Sequence, residues 1–259
     1  MRNVFFLGVG AQKAGTTWLY QFLSSQPGFN LGVRKEYHIW DALYVEECRR
    51  FMSAREGSLR YRMQNVKGAY ERYFAGLLSE KVRCTGDITP SYAGLSAAAF
   101  ETIRRRLEAA GFQLKVIFLL RDPFDRCWSA VRMSIRKGRQ VDDESTALRD
   151  AYRTRDFVLR TDYKRTIQNI EAVFEPENVH YAIFEELFTP HAIGALSAFC
   201  GVSPIAGFAE KTFNVSVKSD RAAEALRGEI REFYAEVYGL CHERFPQTRM
   251  LWSPGPRSD

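Results

Sequence analysis

Gly10-Ala11-Gln12-Lys13-Ala14-Gly15-Thr16-Thr17 follows an apolar run, Val4 to Val9, and precedes a segment with Trp18, Leu19, Phe22 and Leu23 on one side. A loop of small residues between a buried strand and a helix start lets an anion approach unpaired backbone N–H groups that carry partial positive charge. The spacing is that of a nucleotide P-loop, G-x-x-x-x-G, but Thr16 stands where that motif needs its lysine. The lysine lies three residues earlier, at Lys13, which disfavours an ATP-dependent phosphotransferase. Gly8-x-Gly10 also fails as a dinucleotide fingerprint, because Lys13 takes the place of the third glycine.

A second group of candidates lies further along. Leu119-Leu120-Arg121-Asp122-Pro123 closes an apolar strand and opens a helix that carries Ser129 eight residues after the arginine. Arg121 offers a planar donor fork suited to phosphate, and Ser129 offers a hydroxyl about two helical turns in. This reads as a second anion site at the C-terminal edge of a sheet. Between the two lies the polar cluster Arg34-Lys35-Glu36-Tyr37-His38.

The elements that must hold these residues alternate in type. Strands are expected at 4–9, 30–33, 83–87, 114–120 and 178–184. Helices are expected from Thr16-Thr17 to Pro27, at 42–54, 69–79, 96–110, 122–137, 146–160, 162–174, 190–200 and 221–245. This alternation implies a three-layer α/β protein, a central, mostly parallel sheet flanked by helices, in one domain over 1–259. The 259 residues suffice for a full core; 46% are apolar and 26% charged, which excludes a disordered or fibrous chain. Lys and Arg number 37 against 31 Asp and Glu. The whole excess of six falls in 101–140, where ten basic residues meet four acidic ones. Five scattered cysteines and four isolated histidines show neither disulfide nor metal-ligand spacing. No stretch approaches the ~20 apolar residues of a membrane span, so a cytoplasmic protein without bound metal is expected.

The motifs resemble those of sulfotransferases that use 3′-phosphoadenylyl sulfate (PAPS). Gly-Ala-Gln-Lys-Ala-Gly-Thr-Thr-Trp-Leu after an N-terminal strand is similar to the family's 5′-phosphosulfate loop. Arg121 with Ser129 is similar to its 3′-phosphate segment. Lys35-Glu36-Tyr37-His38 resembles the Lys-Glu-x-His stretch of the heparan sulfate sulfotransferase branch. The resemblance implies a P-loop-like sulfotransferase fold of bacterial type and the donor PAPS, with adenosine 3′,5′-bisphosphate as product. By it, Lys13 contacts the 5′-phosphate and the bridging oxygen. The N–H groups of Ala14, Gly15, Thr16 and Thr17 and the two threonine hydroxyls hold the same phosphate, and Trp18 is a further cofactor-binding residue. Arg121, Ser129 and Lys218 serve the 3′-phosphate. Glu36 is the general base, Lys35 an accessory cation, and His38 the rival base or the group that orients Glu36. In Gly86-Asp87-Ile88-Thr89-Pro90, Ile88 replaces a lysine of that branch, which argues against a polysulfated polysaccharide acceptor. The expected partner is a small-molecule or glycan acceptor, with no nucleic acid and no membrane span. An ATP-dependent phosphotransferase and a non-catalytic polyanion-binding protein are the alternatives.

Overall fold

The computed structural model describes residues 3–138, 140–205, 207–208 and 224–253. Strands β1 (Asn3–Gly10), β2 (Cys84–Ile88), β3 (Phe112–Leu120) and β4 (Val179–Ile183) form a parallel sheet in the order β2-β1-β3-β4. β1 reads as a near-continuous apolar run because both of its faces are covered, as a central parallel strand requires. β3 changes character along its length. Gln113 and Lys115 alternate with buried residues in its first half, whereas Val116 to Leu120 are wholly buried.

The strand order places a topological switch point at the C-terminal ends of β1 and β3. The chain leaves β1 for β2 on one side and returns to β3 on the other, which opens a crevice between the loops that follow. Helix α1 (Thr16–Ser24) follows β1. The long connection to β2 carries α2 (Trp40–Tyr44), α3 (Leu59–Asn65) and α4 (Ala69–Ala75). α5 (Ala97–Ala109) buries Phe100, Ile103 and Leu107, spaced for one helix face, and Ser96 caps it by accepting from the Ala99 N–H at 3.2 Å. α6 (Pro123–Arg136) follows β3, and α7 (Glu144–Ala151), α8 (Arg155–Thr161) and α9 (Tyr163–Glu171) precede β4. After β4 come α10 (Pro190–Cys200), α11 (Arg227–Phe233), α12 (Ala235–Arg244) and α13 (Thr248–Leu251). One buried cluster runs from Phe5 to Trp252.

Several expectations are corrected. The segment 30–33 is a turn, with Gly32 at φ 77°, and only Phe29 bridges to Cys84. The helix expected at 146–160 breaks into α7 and α8, and the last helix breaks at Tyr234. α3 was not expected at all. No described helix is long and apolar enough to cross a membrane. All five cysteines are free.

Candidate active site

The crevice at the ends of β1 and β3 is a cavity of about 380 Å³, lined by three of the four residues expected to do chemistry and most of those expected to bind phosphate. Its floor is the loop after β1. Gly15, at φ 90°, is the N-cap of α1, so Thr16 and Thr17 are the first two helical residues and not the cap. A Cβ at Gly15 would lie 2.5 Å from Leu187 Cδ2 on a left-handed backbone, so any larger residue there is strained. No side chain caps α1, which leaves its first N–H groups without a side-chain partner. Lys13 also has a positive φ, 71°, and its side chain lines the cavity. Burial, with Arg136, Arg121, Arg132 and Lys137 nearby, lowers its pKa to about 8. Ala14 departs from expectation: it is fully buried, and its N–H donates to the Ala11 carbonyl at 3.2 Å. Trp18 contributes an edge to the cavity, while its indole N–H donates to the Phe208 carbonyl at 3.4 Å and its ring stacks on Phe22.

Arg121 ties the two loops together. Its Nη1 donates to the Lys13 carbonyl at 2.8 Å, and its guanidinium lies 4.2 Å from the centroid of Phe184. Burial lowers its pKa, and its buried Nε has no protein acceptor. The Tyr163 hydroxyl donates to the Arg121 carbonyl at 2.9 Å. The tip of α6 is not an anion site. Asp122 caps it, accepting from the N–H groups of Phe124 at 2.8 Å and Asp125 at 3.3 Å. What α6 offers the cavity is a stripe, Ser129, Met133, Arg136 and Lys137, at one-face helical spacing. Arg126 is fully buried over the Phe157 ring, and Arg227 lies 3.5 Å from both Asp122 and Asp125.

Lys35 and Glu36 enter the cavity from the connection between α1 and α2 and form an ion pair with each other. Behind them a chain of groups leads inward. His38 Nε2 lies 3.6 Å from Glu36 Oε2, its Nδ1 lies 2.7 Å from Asp41 Oδ2, and the Ser91 hydroxyl donates to that same Asp41 oxygen. Burial opposes the charge on Glu36, but His38 and Lys35 outweigh it and hold the carboxyl at about 2. Burial likewise opposes protonation of His38, and Asp41 and Glu36 outweigh it, so its pKa is raised. The Glu36 side chain is 40% exposed and that of His38 only 11%, so the carboxylate meets the cavity and the imidazole stands behind it. Ile88 is buried against Gly8. Asp87 beside it accepts from Thr89, Tyr92 and Tyr70, and burial raises its pKa to about 6.

Lys218 lies outside the described residues. Sequence reasoning missed Gln12, Pro90, Phe184 and Phe188 as parts of the wall. The two phenylalanines follow β4, the neighbour of β3, so only the sheet order brings them here.

Residues 6–227 match the family model for the sulfotransferase domain. The fold is similar to that of a sulfotransferase from Alicyclobacillus acidocaldarius, with a TM-score of 0.65 and 21% identity over 97% of this chain and 99% of that one. A mouse sulfotransferase complexed with PAP gives a TM-score of 0.57 at 14% identity, over 97% of this chain and 89% of that one. A sulfotransferase from Mycobacterium avium gives 0.52 at 11%, over 92% and 76%. No curated protein matches at a significant level.

Proposed function

The chain belongs to the sulfotransferase family, and on that premise we propose that it moves a sulfuryl group from PAPS to an acceptor hydroxyl, in preference to an amine, by in-line displacement. The acceptor is a carbohydrate, a lipid or a secondary metabolite. One observation carries the reading: Lys13, Glu36, and Arg121 with Ser129, drawn from three separate segments, line a single cavity. The same reading treats 1–259 as one domain acting in the cytoplasm.

The residues fit a doubly phosphorylated nucleotide. The unpartnered Nε of Arg121 is a buried donor that a phosphate oxygen would satisfy, and no described side chain pairs with the Lys13 ammonium. When bound, PAPS supplies an activated sulfuryl group on a phosphate leaving group. The hydroxyls and first N–H groups of Thr16 and Thr17 then hold the 5′ end. Arg121 and Ser129 hold the 3′-phosphate, with Lys218 a further candidate. Lys13 takes up the negative charge that develops on the bridging oxygen. Glu36 accepts the acceptor's proton at a carboxylate oxygen. Lys35 and His38 keep that carboxylate a weak base. An anion that draws Lys35 toward itself strengthens the base, which couples donor binding to proton abstraction. Lys13, Lys35 and Arg121 supply the positive charge without metal, so a chelator should leave turnover unchanged.

Calorimetry with adenosine 3′,5′-bisphosphate tests the donor assignment. Tight binding is expected, and Arg121→Ala should weaken it. A magnesium-dependent thermal shift with ATP, and none with the bisphosphate, would instead favour phosphotransfer. A radiolabelled PAPS assay against a mixed acceptor panel identifies the acceptor class.

A further inference from the structure

Helix α3 contributes nothing to the cavity wall, yet two of its long polar side chains, Arg60 and Gln64, end on the backbone of the loop that carries Glu36. Arg60 Nε donates to the Tyr37 carbonyl at 2.8 Å, and its Nη2 donates to the Glu36 carbonyl at 3.3 Å. Gln64, four residues on and therefore on the same face of α3, donates from Nε2 to the His38 carbonyl at 2.7 Å. Three successive carbonyls of one loop are thus held by two side chains.

That loop needs holding. Glu36 has φ 63° and His38 φ 57°, left-handed values that side chains other than glycine's rarely adopt. Residues 36–38 belong to no helix or strand, so their carbonyls have no backbone ladder to join. The direction of a residue's carbonyl and that of its Cβ are linked through the same backbone torsions. Fixing the Glu36 and Tyr37 carbonyls therefore fixes where the Glu36 side chain points. Gln64 extends the grip. Its Nε2 also donates to the Phe51 carbonyl at 3.2 Å, and its Oε1 accepts from the Ser53 N–H at 2.8 Å. The ring of Phe51 in turn stacks on His38 with centroids 3.8 Å apart. Ser58 caps α3, its hydroxyl accepting from the Tyr61 N–H at 3.2 Å, and that hydroxyl also meets the Ser53 hydroxyl at 3.1 Å.

We propose that α3 is a clasp on the base-bearing loop, with Arg60 and Gln64 as positioning residues that keep the Glu36 carboxylate aimed into the cavity and His38 seated behind it. The proposal rests on the reading of Glu36 as the base. It assigns Arg60 no contact with donor or acceptor.

The test uses the intact protein and its Arg60→Ala, Arg60→Lys and Gln64→Leu variants. The clasp predicts unchanged calorimetric affinity for adenosine 3′,5′-bisphosphate in all three. With the best acceptor from the panel, kcat should fall about 10- to 100-fold in Arg60→Ala and Gln64→Leu, the scale of a misplaced reacting group. KM for PAPS should hold, and Arg60→Lys should recover part of kcat. The titration of His38, followed by NMR, gives a reading that needs no acceptor. Its ring faces Glu36, Asp41, the Ser91 hydroxyl and Phe51. Loosening the loop weakens the contact with Glu36, so the titration midpoint should move to lower pH in both Arg60→Ala and the uncharged Gln64→Leu. Loss of a nearby positive charge alone would move it to higher pH in Arg60→Ala and leave Gln64→Leu unchanged, and that result overturns the clasp. So does an unaltered kcat, or a loss of bisphosphate affinity that parallels the loss of kcat. If Arg60→Ala fails to fold, Arg60→Lys and Gln64→Leu carry the test. A wild-type protein that neither binds the bisphosphate nor consumes PAPS overturns the proposed function instead, while the His38 titration still decides whether the clasp exists.

Discussion

Among the described residues, Lys13, Glu36 and His38 are the three other than glycine with positive φ, and all three belong to the proposed chemistry. Each such residue costs about 1–2 kcal/mol, a strain that persists only where the surroundings impose it. Lys13 adds an electrostatic cost. Its folded pKa of about 8 lies below its ordinary 10.5, so its charge opposes folding at neutral pH and stability should rise as pH climbs from 8 to 10.5. Lys13→Met should therefore raise the Tm of the ligand-free protein by about 2–4 °C, the response to ~1 kcal/mol at this size, while abolishing bisphosphate binding. Scanning calorimetry checks the first and titration calorimetry the second. In the wild type, bisphosphate affinity should decline above pH 8 as Lys13 loses its proton. Glu36 and His38 have opposite signs. The contribution of Glu36 is present above 4.5 and lost toward 2, and that of His38 is present below 6.5 and lost above its raised value. The pair thus stabilises most between about 4.5 and 6.5. With Glu36 as base, kcat should stay level or fall as His38 deprotonates; a kcat that rises through the His38 titration would assign the base to His38. Glu36→Gln should keep bisphosphate affinity and lose about 10²- to 10⁴-fold in kcat.

At the scale of elements, the two helices whose residues line the cavity begin differently. α1 starts on a glycine with no side-chain cap, and α6 starts on Asp122, whose carboxylate fills its first N–H groups and also accepts from the Tyr238 hydroxyl at 2.8 Å. Gly15→Ala should cost about 1–3 kcal/mol from the left-handed backbone and the clash with Leu187, and should weaken bisphosphate binding. Asp122→Ala should cost about 1–2 kcal/mol for the lost cap. Urea denaturation measures both. β1, β3, α5 and α6 were legible because apolar runs, capping residues and helix-ending glycines are local signals. α3 was not. Leu59-Arg60-Tyr61-Arg62-Met63-Gln64-Asn65 has no apolar stripe, and only Met63 and Gln64 are buried. Met63 in the core, with Leu59 packed beside it, and contacts with the 36–38 and 51–53 backbone hold it in place.

Across the whole molecule, the basic excess of 101–140 divides between opposite ends of the sheet. Arg104 pairs with Glu101 and Glu108, Arg105 with Glu101 and Arg106 with Glu71, all from α5, which leads into the start of β3. Lys115 bonds the Phe199 carbonyl. Arg121, Arg136 and Lys137 line the cavity. A field that steers an anion should therefore come from α6 and not α5. Arg136→Ala with Lys137→Ala should weaken bisphosphate binding and flatten its salt dependence, whereas Arg104→Ala with Arg105→Ala should change neither, as calorimetry at two ionic strengths would show. A steep salt response to long polyanions without any to the bisphosphate would favour a polyanion-binding protein. By itself the sequence determined the sheet class, the loop of small residues between β1 and α1 and the inventory of lysine, arginine, carboxylate and imidazole, because these follow from residue type and spacing within single segments. Only the tertiary structure decided that Glu36 faces the cavity with His38 behind it and that α3 grips the Glu36 loop. Those outcomes depend on the sign of a few φ angles and on bonds between side chains and carbonyls more than twenty residues apart, neither of which leaves a periodic trace in the sequence.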